Sequence, residues 1–376
     1  MPRHMTNDKK FLLGQYFTEP KAVKRAVDLT LRFKNYGTGI RILEPSAGTG
    51  NFVNELVSRG FNVTQYEIDG TLCKTPVDFF DVPLKEKFDL IIGNPPFTNY
   101  NVKNSYYFPS RYSNAHVSPE EYLPYGVQEE KMRVEEAFIL KAIKHLKGDS
   151  AIGFVLPVSF FVSGKNQKLK QELTKAFSTI IVYQTDDRWV ADNLPCCFVL
   201  LTSIKAYDNE VVLVLDETGT AIKQEAIPLD SILTEDVVPK AFFYKKGASM
   251  SGTPLSEYID DISPKYSKSF TSNTVNGSTI LNRTKAVGDP ERYSLAVVRV
   301  GNTSVGRAGL VDLKRDVLND MFYVFSFKPK YNNDLTVKEG VCRVLNANIS
   351  YFQHISQRIG SKSLKKKDIL DFKVNL

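Results

Sequence analysis

The residues Asn94, Pro95, Pro96 and Phe97 follow directly on an apolar run from Phe88 to Gly93. The Asn94 carboxamide oxygen and the Pro95 carbonyl can accept the two hydrogens of a planar amino group, while the Phe97 ring stacks on the attached heterocycle. The two prolines offer no N–H donor, so this turn presents acceptors alone. The pattern predicts methyl transfer to an exocyclic amine, provided that the chain also binds a methyl donor.

A donor site is predicted upstream, where residues 41–52 read as a buried strand, a glycine turn and a helix. Gly48 and Gly50 let a ligand lie against bare backbone, but the turn lacks both the dinucleotide fingerprint and the lysine of phosphate-binding loops. It therefore suits an adenosyl group without a pyrophosphate. Glu67 ends the next strand, 19 residues after Gly48, about the separation at which a carboxylate takes both ribose hydroxyls.

The stretches Gly14–Pro20, Glu44–Gly50, Glu67, Asp78–Phe80 and Asn94–Phe97 come in the order in which similar motifs occur in a known family. Together they resemble the gamma-type DNA adenine-N6 methyltransferases, and the resemblance covers about residues 11–200. It implies an S-adenosylmethionine-dependent enzyme with a C-terminal target-recognition domain, which flips the adenine out of duplex DNA because its amine is unreachable inside the stack.

The resemblance also implies roles for individual residues. The catalytic residues would be Asn94, Pro95 and Phe97, and the cofactor-binding residues Tyr16, Phe17, Thr18, Glu44, Ser46, Gly48, Gly50, Glu67, Ile68, Asp78, Phe79 and Asn94. Asp69 could compete with Glu67 for the ribose, but the family pattern favours Glu67, and we expect Asp69 to be solvated.

Three alternatives stay open at this point. The same tetrapeptide type occurs in enzymes that methylate guanine N2 in RNA or glutamine amides in proteins, so the chain could be an RNA base-amine methyltransferase. It could also be a modification subunit that needs a separate specificity chain, although its own basic C-terminal region argues against this. A vestigial fold that only reads DNA is the third alternative, against which the intact Asn94, Gly48, Gly50 and Glu67 stand.

Composition favours two domains and a polyanionic partner. The 376 residues are 42% hydrophobic, and the surplus of Lys and Arg that gives the formal net charge of +7 lies in the C-terminal third. We expect a catalytic domain over 1–240 and a basic DNA target-recognition domain over 241–376. Taken alone, the basic surplus could equally be an ordinary solvated surface.

Four cysteines and four histidines show no metal-ligand spacing, so no metal is expected. We expect no signal peptide and no membrane span, and hence a cytoplasmic enzyme. A monomer is favoured, and whether a separate cognate restriction endonuclease exists is left open, as is the recognition sequence.

The elements expected to position the site alternate between strand and helix, which predicts a doubly wound, Rossmann-like α/β sheet with a smaller α+β module after it. Strands are predicted over 40–44, 61–66, 88–92, 151–156, 179–183, 196–203 and 211–215, and helices over 20–35, 51–59, 70–75, 129–147 and 164–177. The strands over 179–183 and 196–203 are expected to be antiparallel. No regular structure is predicted from Thr98 to about Gln128.

Several residues outside the motifs are predicted to contact DNA. Tyr106 and Tyr107 belong to a tyrosine-rich stretch, and Arg299, Arg307, Lys365 and Lys366 to the basic region. In the resembled family, an aromatic near the start of a late strand supplies the second surface that stacks on the base. Leu194 stands there instead, so Trp189 or Phe198 could take this role, or an aliphatic face could close the pocket.

Overall fold

The structure is a computed structural model that describes residues 13–101, 106–108, 132–190, 194–247, 252–263, 277–301, 303–356 and 363–376. The chain divides into two compact units, Met1–Pro239 and Lys240–Leu376. The functional roles that the sequence suggests for the two parts stay predictions.

The first unit contains one large sheet and several helices. Its helices are α1 (Pro20–Phe33), α2 (Asn51–Ser58), α3 (Val134–Lys144), α4 (Gln167–Ala176) and α5 (Ser231–Thr234). Its strands are β1 (Ile42–Glu44), β2 (Val63–Gln65), β3 (Phe88–Gly93), β4 (Asn99–Asn101), β5 (Tyr106–Phe108), β6 (Met132–Arg133), β7 (Leu146–Pro157), β8 (Thr179–Thr185), β9 (Cys196–Thr202), β10 (Glu210–Asp216) and β11 (Lys223–Pro228).

The eight-stranded sheet has the order β11-β10-β8-β9-β7-β3-β1-β2. Strands β2, β1, β3 and β7 run parallel, and β9 lies antiparallel between β7 and β8. Every residue of β8 and β9 is buried, as expected for strands that are covered on both faces. The predicted α/β class and the predicted antiparallel strands are confirmed.

Strand β2 pairs with one edge of β1, and β3 pairs with the opposite edge of β1. Strand order reverses at β1, and ligands of open α/β sheets bind beyond the carboxyl ends of the strands at such a point. Glu44, Glu67 and Asn94 all lie at or just beyond the carboxyl ends of these three strands. The topology therefore gathers residues that are distant in sequence at one edge.

Helix α1 covers the sheet with an apolar stripe and begins at Pro20, whose missing N–H costs nothing at a helix start. The buried positions Ala22, Val23, Ala26, Val27 and Leu29 recur at helical spacing and join the core of the first unit. Arg25 on the same helix forms ion pairs with Asp187, at 2.6 Å, and with Asp216. These contacts fix the start of α1 beside the carboxyl ends of β8 and β10.

Two expectations for the first unit were wrong. Residues 70–75 form turns rather than a helix, because both the backbone N–H and the hydroxyl of Thr71 donate to Asp69, and Pro76 follows. The stretch expected to lack regular structure contains β4 and β5, which form a three-stranded sheet with β6. Because β6 takes residues 132–133, α3 begins later than predicted. Most of the tyrosine-rich stretch lies outside the described residues.

The second unit is an α+β module. Its helices are α6 (Pro239–Gly247), α7 (Gly277–Asn282), α8 (Leu335–Ala347), α9 (Ile349–Ile355) and α10 (Lys366–Leu370), and its strands are β12 (Thr253–Pro254), β13 (Ile259–Ser263), β14 (Tyr293–Val298), β15 (Ala308–Asp312), β16 (Phe322–Phe327) and β17 (Lys373–Val374). An antiparallel sheet of order β13-β16-β14-β15 shares a core with α8. Lys338 on α8 is buried and donates to the Tyr293 carbonyl at 2.6 Å. None of the helices in the described ranges is long and apolar enough to cross a membrane.

A substitution at Gly309 in β15 would test the close packing within the second unit. A Cβ atom at this position would lie 2.0 Å from the Ile280 carbonyl oxygen and 2.9 Å from the Leu281 Cα, both backbone atoms of α7. We expect Gly309→Ala to lower the free energy of unfolding by about 1–3 kcal/mol, the usual cost of overpacking. Urea denaturation measures this change. Gly247→Ala, which meets nothing within 4 Å, is the matched control, and equal stability of the two variants would contradict the packing.

Candidate active site

A cavity lies in the first unit at the carboxyl ends of β1, β2 and β3. Ligand sites of open α/β sheets are expected at this edge. All of the predicted cofactor residues except Gly50 line it, namely Tyr16, Phe17, Thr18, Glu44, Ser46, Gly48, Glu67, Ile68, Asp78, Phe79 and Asn94. Gly50 precedes the first turn of α2 instead.

The turn after β1 brings bare backbone to the cavity. Gly48 has φ of +54°, a conformation that glycine adopts without strain, and a Cβ atom there would lie 3.1 Å from the Phe17 ring. The Gly48 N–H donates to Glu67 Oε2 at 2.7 Å. The Ala47 N–H donates to the Tyr66 carbonyl at 2.8 Å, so the turn and the end of β2 form one rigid corner.

Two backbone donors fix the Glu67 carboxylate. Its Oε2 accepts from Gly48, and its Oε1 accepts from the Asp69 N–H at 2.8 Å. Asp69 is buried rather than solvated, which corrects the expectation from sequence. Its Oδ2 accepts from the Gln15 amide at 2.9 Å, and its Oδ1 accepts from Thr71. Asp69 therefore holds the loop that carries Glu67.

Aromatic rings form another wall of the cavity. Asp78 caps a short 3₁₀ turn over Phe79–Asp81 by accepting from the Phe80 N–H at 2.9 Å. The Phe79 ring lies 5.1 Å from the Phe138 ring, and both rings line the cavity. Behind them, the buried Lys141 donates to the Phe80 carbonyl. The sequence predicted a helix over 129–147 but not the position of Phe138 in this wall, and it did not predict the contact of Gln15 with Asp69.

Asn94 lines the cavity, and its side chain has one acceptor without a partner among the described residues. Its Nδ2 donates to the Tyr16 carbonyl, and because a carbonyl can only accept, this bond fixes which way the carboxamide faces. The opposite atom, Oδ1, is buried and has no hydrogen-bond partner among the described residues. The Ser46 hydroxyl donates to the Asn94 backbone carbonyl at 3.1 Å and holds the chain from the other side.

The Phe97 ring is covered in this structure. Phe97 is 8% exposed and stacks on Tyr16 with the ring centroids 5.7 Å apart and the planes 25° apart. Pro96 lines the cavity, whereas Pro95 and Phe97 do not. The role of Phe97 as a stacking surface for a base stays a prediction, and it requires that the Tyr16 ring moves or that the base takes another face.

The residues proposed to replace the late-strand aromatic lie in the core. Trp189 is 3% exposed and stacks on Phe198 at 6.2 Å, and neither residue lines the cavity. Leu194 packs against the same core. This placement favours simple packing for Trp189, because a ring that is buried in the core offers no surface to a base. Tyr106 and Tyr107 belong to β5, and the structure describes only their backbone.

The second unit brings two of its predicted DNA-binding stretches together. The Leu364 N–H donates to the Arg299 carbonyl at 2.8 Å, which places Arg299 beside the segment that begins with Lys365. The Arg299 guanidinium lies over the Tyr323 ring at 5.3 Å. Arg307 is exposed, and the exposed Lys366 lies 3.7 Å from Asp261. DNA contact by these residues stays a prediction.

Glu44 is the buried acid of the site. It is 1% exposed, its Oε1 accepts from the Ser46 N–H at 3.1 Å, and its Oε2 has no partner within the part of the chain that the structure describes. Burial raises the pKa of the Glu44 carboxyl to about 8, and the nearby Glu67 acts in the same direction.

Within the ranges that the structure describes, no group of three or more His, Cys, Asp or Glu side chains could hold a metal ion.

The raised pKa of Glu44 predicts a pH dependence of stability. Between its ordinary value of 4.5 and about 8, the folded protein binds a proton here that the unfolded chain has lost. The contribution of Glu44 to the free energy of unfolding therefore falls as pH rises through this window. We expect Glu44→Gln to gain stability relative to the unchanged protein on going from pH 5 to pH 8. Urea denaturation at the two pH values measures this. The exposed Glu235→Gln is the control, and a gain that is the same for both variants would contradict the burial effect.

Three comparisons place the chain among known proteins. The sequence profile of the Eco57I restriction-modification methylase family matches residues 29–188. Type II methyltransferase M.HincII of Haemophilus influenzae is 29% identical over 237 residues, which are 59% of this chain and 43% of that protein. Modification methylase CviBIII of Paramecium bursaria Chlorella virus NC1A is 29% identical over 168 residues, 41% of this chain and 40% of that protein.

A methyltransferase subunit of a type I restriction-modification system from Streptococcus thermophilus has a similar fold with a TM-score of 0.39 and 16% identity, over 63% of this chain and 54% of that chain. This chain spans less than half the length of the curated relatives it matches. The profile match begins within α1 and ends in the loop after β8, so it includes the turn after β1, Glu67 and Asn94. Residues 29–188 are therefore similar to an Eco57I restriction-modification methylase domain.

Proposed function

We propose that this protein is an S-adenosylmethionine-dependent DNA methyltransferase that methylates N6 of adenine within a specific duplex sequence. The observation that carries the proposal is the buried, unpaired Oδ1 of Asn94 at the wall of the cavity. A buried acceptor without a partner costs about 1–3 kcal/mol, so it is expected where a ligand supplies the donor. The restriction-modification methylase domain supports the same reaction class.

The residues of the cavity fit the cofactor. Glu67 offers a fixed carboxylate for ribose hydroxyls, and the Phe79 and Phe138 rings offer apolar faces for adenine. The buried Thr18 hydroxyl has no partner among the described side chains and backbone groups and lines the same cavity. Gly48 leaves room at the turn. When bound, S-adenosylmethionine supplies an electrophilic methyl group on a sulfonium.

The chain contributes mostly positioning to the reaction. Asn94 Oδ1 and the Pro95 carbonyl accept the two amino hydrogens of the flipped adenine, which draws the nitrogen lone pair away from the ring. Glu67, Gly48 and Phe79 would hold S-adenosylmethionine, which would supply the methyl group to this nitrogen, and the amine would then release a proton to solvent. No strong base is needed, so orientation accounts for most of the rate.

The choice of DNA as the substrate polymer depends on separate observations. The relatives are called a type II methyltransferase and a modification methylase, and the surplus of basic residues in the C-terminal third suits a polyanion. We propose double-stranded DNA as substrate, residues 240–376 as the reader, and a cytoplasmic restriction-modification role, in which a separate endonuclease is a partner to be sought.

Asn94→Ala removes the acceptor on which this proposal depends. We expect kcat to fall about 10²–10³-fold or more, comparable to the loss of a preorganised polar group at a reacting centre. The assay is transfer of labelled methyl from S-adenosylmethionine to unmethylated duplex DNA, with matched RNA alongside and sequencing of the modified base. Asn62→Ala, an exposed asparagine in the same unit, is the control and should retain activity. Label on RNA alone would overturn the polymer, and label on cytosine would overturn the base.

Glu67→Gln tests the cofactor site separately. Both carboxylate oxygens accept backbone N–H groups, so the amide NH₂ of glutamine must face a donor. We expect the Kd for S-adenosylhomocysteine to rise about 10–100-fold, the equivalent of a lost hydrogen bond to a charged group. Isothermal titration calorimetry gives this value. Glu55→Gln, on the neighbouring helix α2 and outside the cavity lining, should bind as the unchanged protein does. Unchanged binding by Glu67→Gln would sink the ribose assignment.

A further inference from the structure

The segment Gly14–Thr18 contacts both halves of the site, and its side chains alternate between them. The side chains of Gln15 and Phe17 face the donor loops, whereas the side chain of Tyr16 faces the Asn94–Phe97 turn. Such alternation is the period of an extended chain. Each contact is to a different partner, so the segment joins the two halves residue by residue.

Three contacts tie the segment to the donor side. The Gln15 amide donates to Asp69 Oδ2 at 2.9 Å, and the Asp69 N–H in turn donates to Glu67. The Phe17 ring lies against the Gly48 Cα, where a Cβ atom would approach it to 3.1 Å. The Thr18 carbonyl accepts from the Asn51 side chain at 2.8 Å, and Asn51 begins α2. The same loops hold the residues that we propose to bind S-adenosylmethionine.

Three contacts tie the segment to the reacting side. The Tyr16 carbonyl accepts from Asn94 Nδ2, and the Tyr16 ring stacks on Phe97. The Gly14 carbonyl accepts from the Phe97 N–H at 3.1 Å. Gly14 has φ of +60°, and a Cβ atom there would lie 2.7 Å from the Phe97 nitrogen, so the two backbones touch.

We infer that Gln15 and Tyr16 are positioning residues that couple binding of the methyl donor to the orientation of the Asn94 carboxamide. Consecutive Cα atoms are only 3.8 Å apart, so a displacement of Gln15 reaches the Tyr16 carbonyl directly. If that carbonyl moves, the bond that orients the Asn94 carboxamide is lost, and Oδ1 is no longer held toward the amine. A ligand that steadies Glu67 and Gly48 thereby steadies Asn94. This inference rests on the proposed function, because the ligand is the methyl donor.

The backbone supplies a probe for this coupling. Pro95 and Pro96 have no amide hydrogen, so within the turn beyond Asn94 the Phe97 amide is the probe, and it donates to Gly14. Hydrogen exchange at Phe97 is measured by mass spectrometry with residue-level fragmentation, with and without S-adenosylhomocysteine. We expect the product to slow exchange at Phe97 about tenfold, a coupling of ordinary size. The Val158 amide, which donates to Pro195 elsewhere in the unit, should not change.

Gln15→Met keeps the length of the side chain and removes the donor to Asp69. We expect this variant to bind S-adenosylhomocysteine, by calorimetry, but to lose most of the protection at Phe97. Gln171→Met, on the exposed face of α4, is the matched control and should retain the protection. A merely structural role of Gln15 would shift melting temperature and leave the ligand-dependent protection intact.

The outcomes separate the two proposals. Binding of the product without protection of Phe97 in the unchanged protein overturns the coupling and leaves the proposed function standing. Full protection in Gln15→Met overturns the role of Gln15. Absence of product binding in the unchanged protein overturns the proposed function, and the coupling with it. The arm with the unchanged protein decides the coupling even if the variant does not fold.

Discussion

The site depends on one hydrogen bond, from the Asn94 carboxamide nitrogen to the Tyr16 carbonyl. An asparagine side chain can turn over and present either a donor or an acceptor, and only the acceptor can bind an amino hydrogen. The backbone carbonyl removes this freedom, and the Ser46 hydroxyl fixes the same residue through its main chain. The unpaired Oδ1 that results is costly in a protein without ligand. The surrounding elements must therefore be stable enough to hold it.

The sheet meets this requirement by bringing distant parts of the chain to one edge. Glu44, Glu67 and Asn94 follow or end three neighbouring parallel strands, and the reversal of strand order at β1 leaves space between the loops that carry them. Segment Gly14–Thr18 precedes α1 in sequence but packs on the loops of all three strands. The ion pairs of Arg25 with Asp187 and Asp216 hold the start of the helix that follows it.

The sequence predicted the parts of this arrangement that have a strong local pattern. Strands β1 and β3 are short apolar runs ending in chemically distinctive residues, and the helical spacing of Ala22, Val23 and Ala26 defined α1. In the second unit, the apolar runs at Leu295–Val300 and Phe322–Phe327 correspond to β14 and β16. A local pattern was sufficient where burial determines the element.

The sequence did not reveal contacts that arise only from tertiary pairing. Strands β4 and β6 are only two or three residues long, and they exist because they pair with each other. Asp69 looked like a solvated acid because its partner Gln15 is 54 residues away. Trp189 looked available for stacking because its packing on Phe198 is invisible in one dimension. Each of these contacts depends on a partner elsewhere in the chain rather than on local propensity.

The two acceptors that we propose at Asn94 and Pro95 would select an amino group but not a base. A ring that carries a carbonyl at the reacting position would bring a third acceptor against them, and the three oxygens would repel one another. Thymine and uracil are thereby disfavoured, whereas adenine, cytosine and guanine each present an NH₂ group. Discrimination among those three must come from the shape of the pocket or from reading of the neighbouring sequence.

Because the Phe97 ring is already covered by Tyr16, stacking of a base on Phe97 contributes little to the free energy needed to extrude that base. An aromatic pair such as Tyr16–Phe97 contributes about 0.5–1.5 kcal/mol beyond its buried area, and extruding a base from duplex DNA costs a few kcal/mol. Stacking on Phe97 recovers a contact like the one that Tyr16 gives up, so it cannot offset the extrusion as well. Two hydrogen bonds at about 1 kcal/mol each offset only part of the remainder. The rest must come from contacts with the flanking DNA, which favours a substrate recognised as an extended duplex over an isolated base.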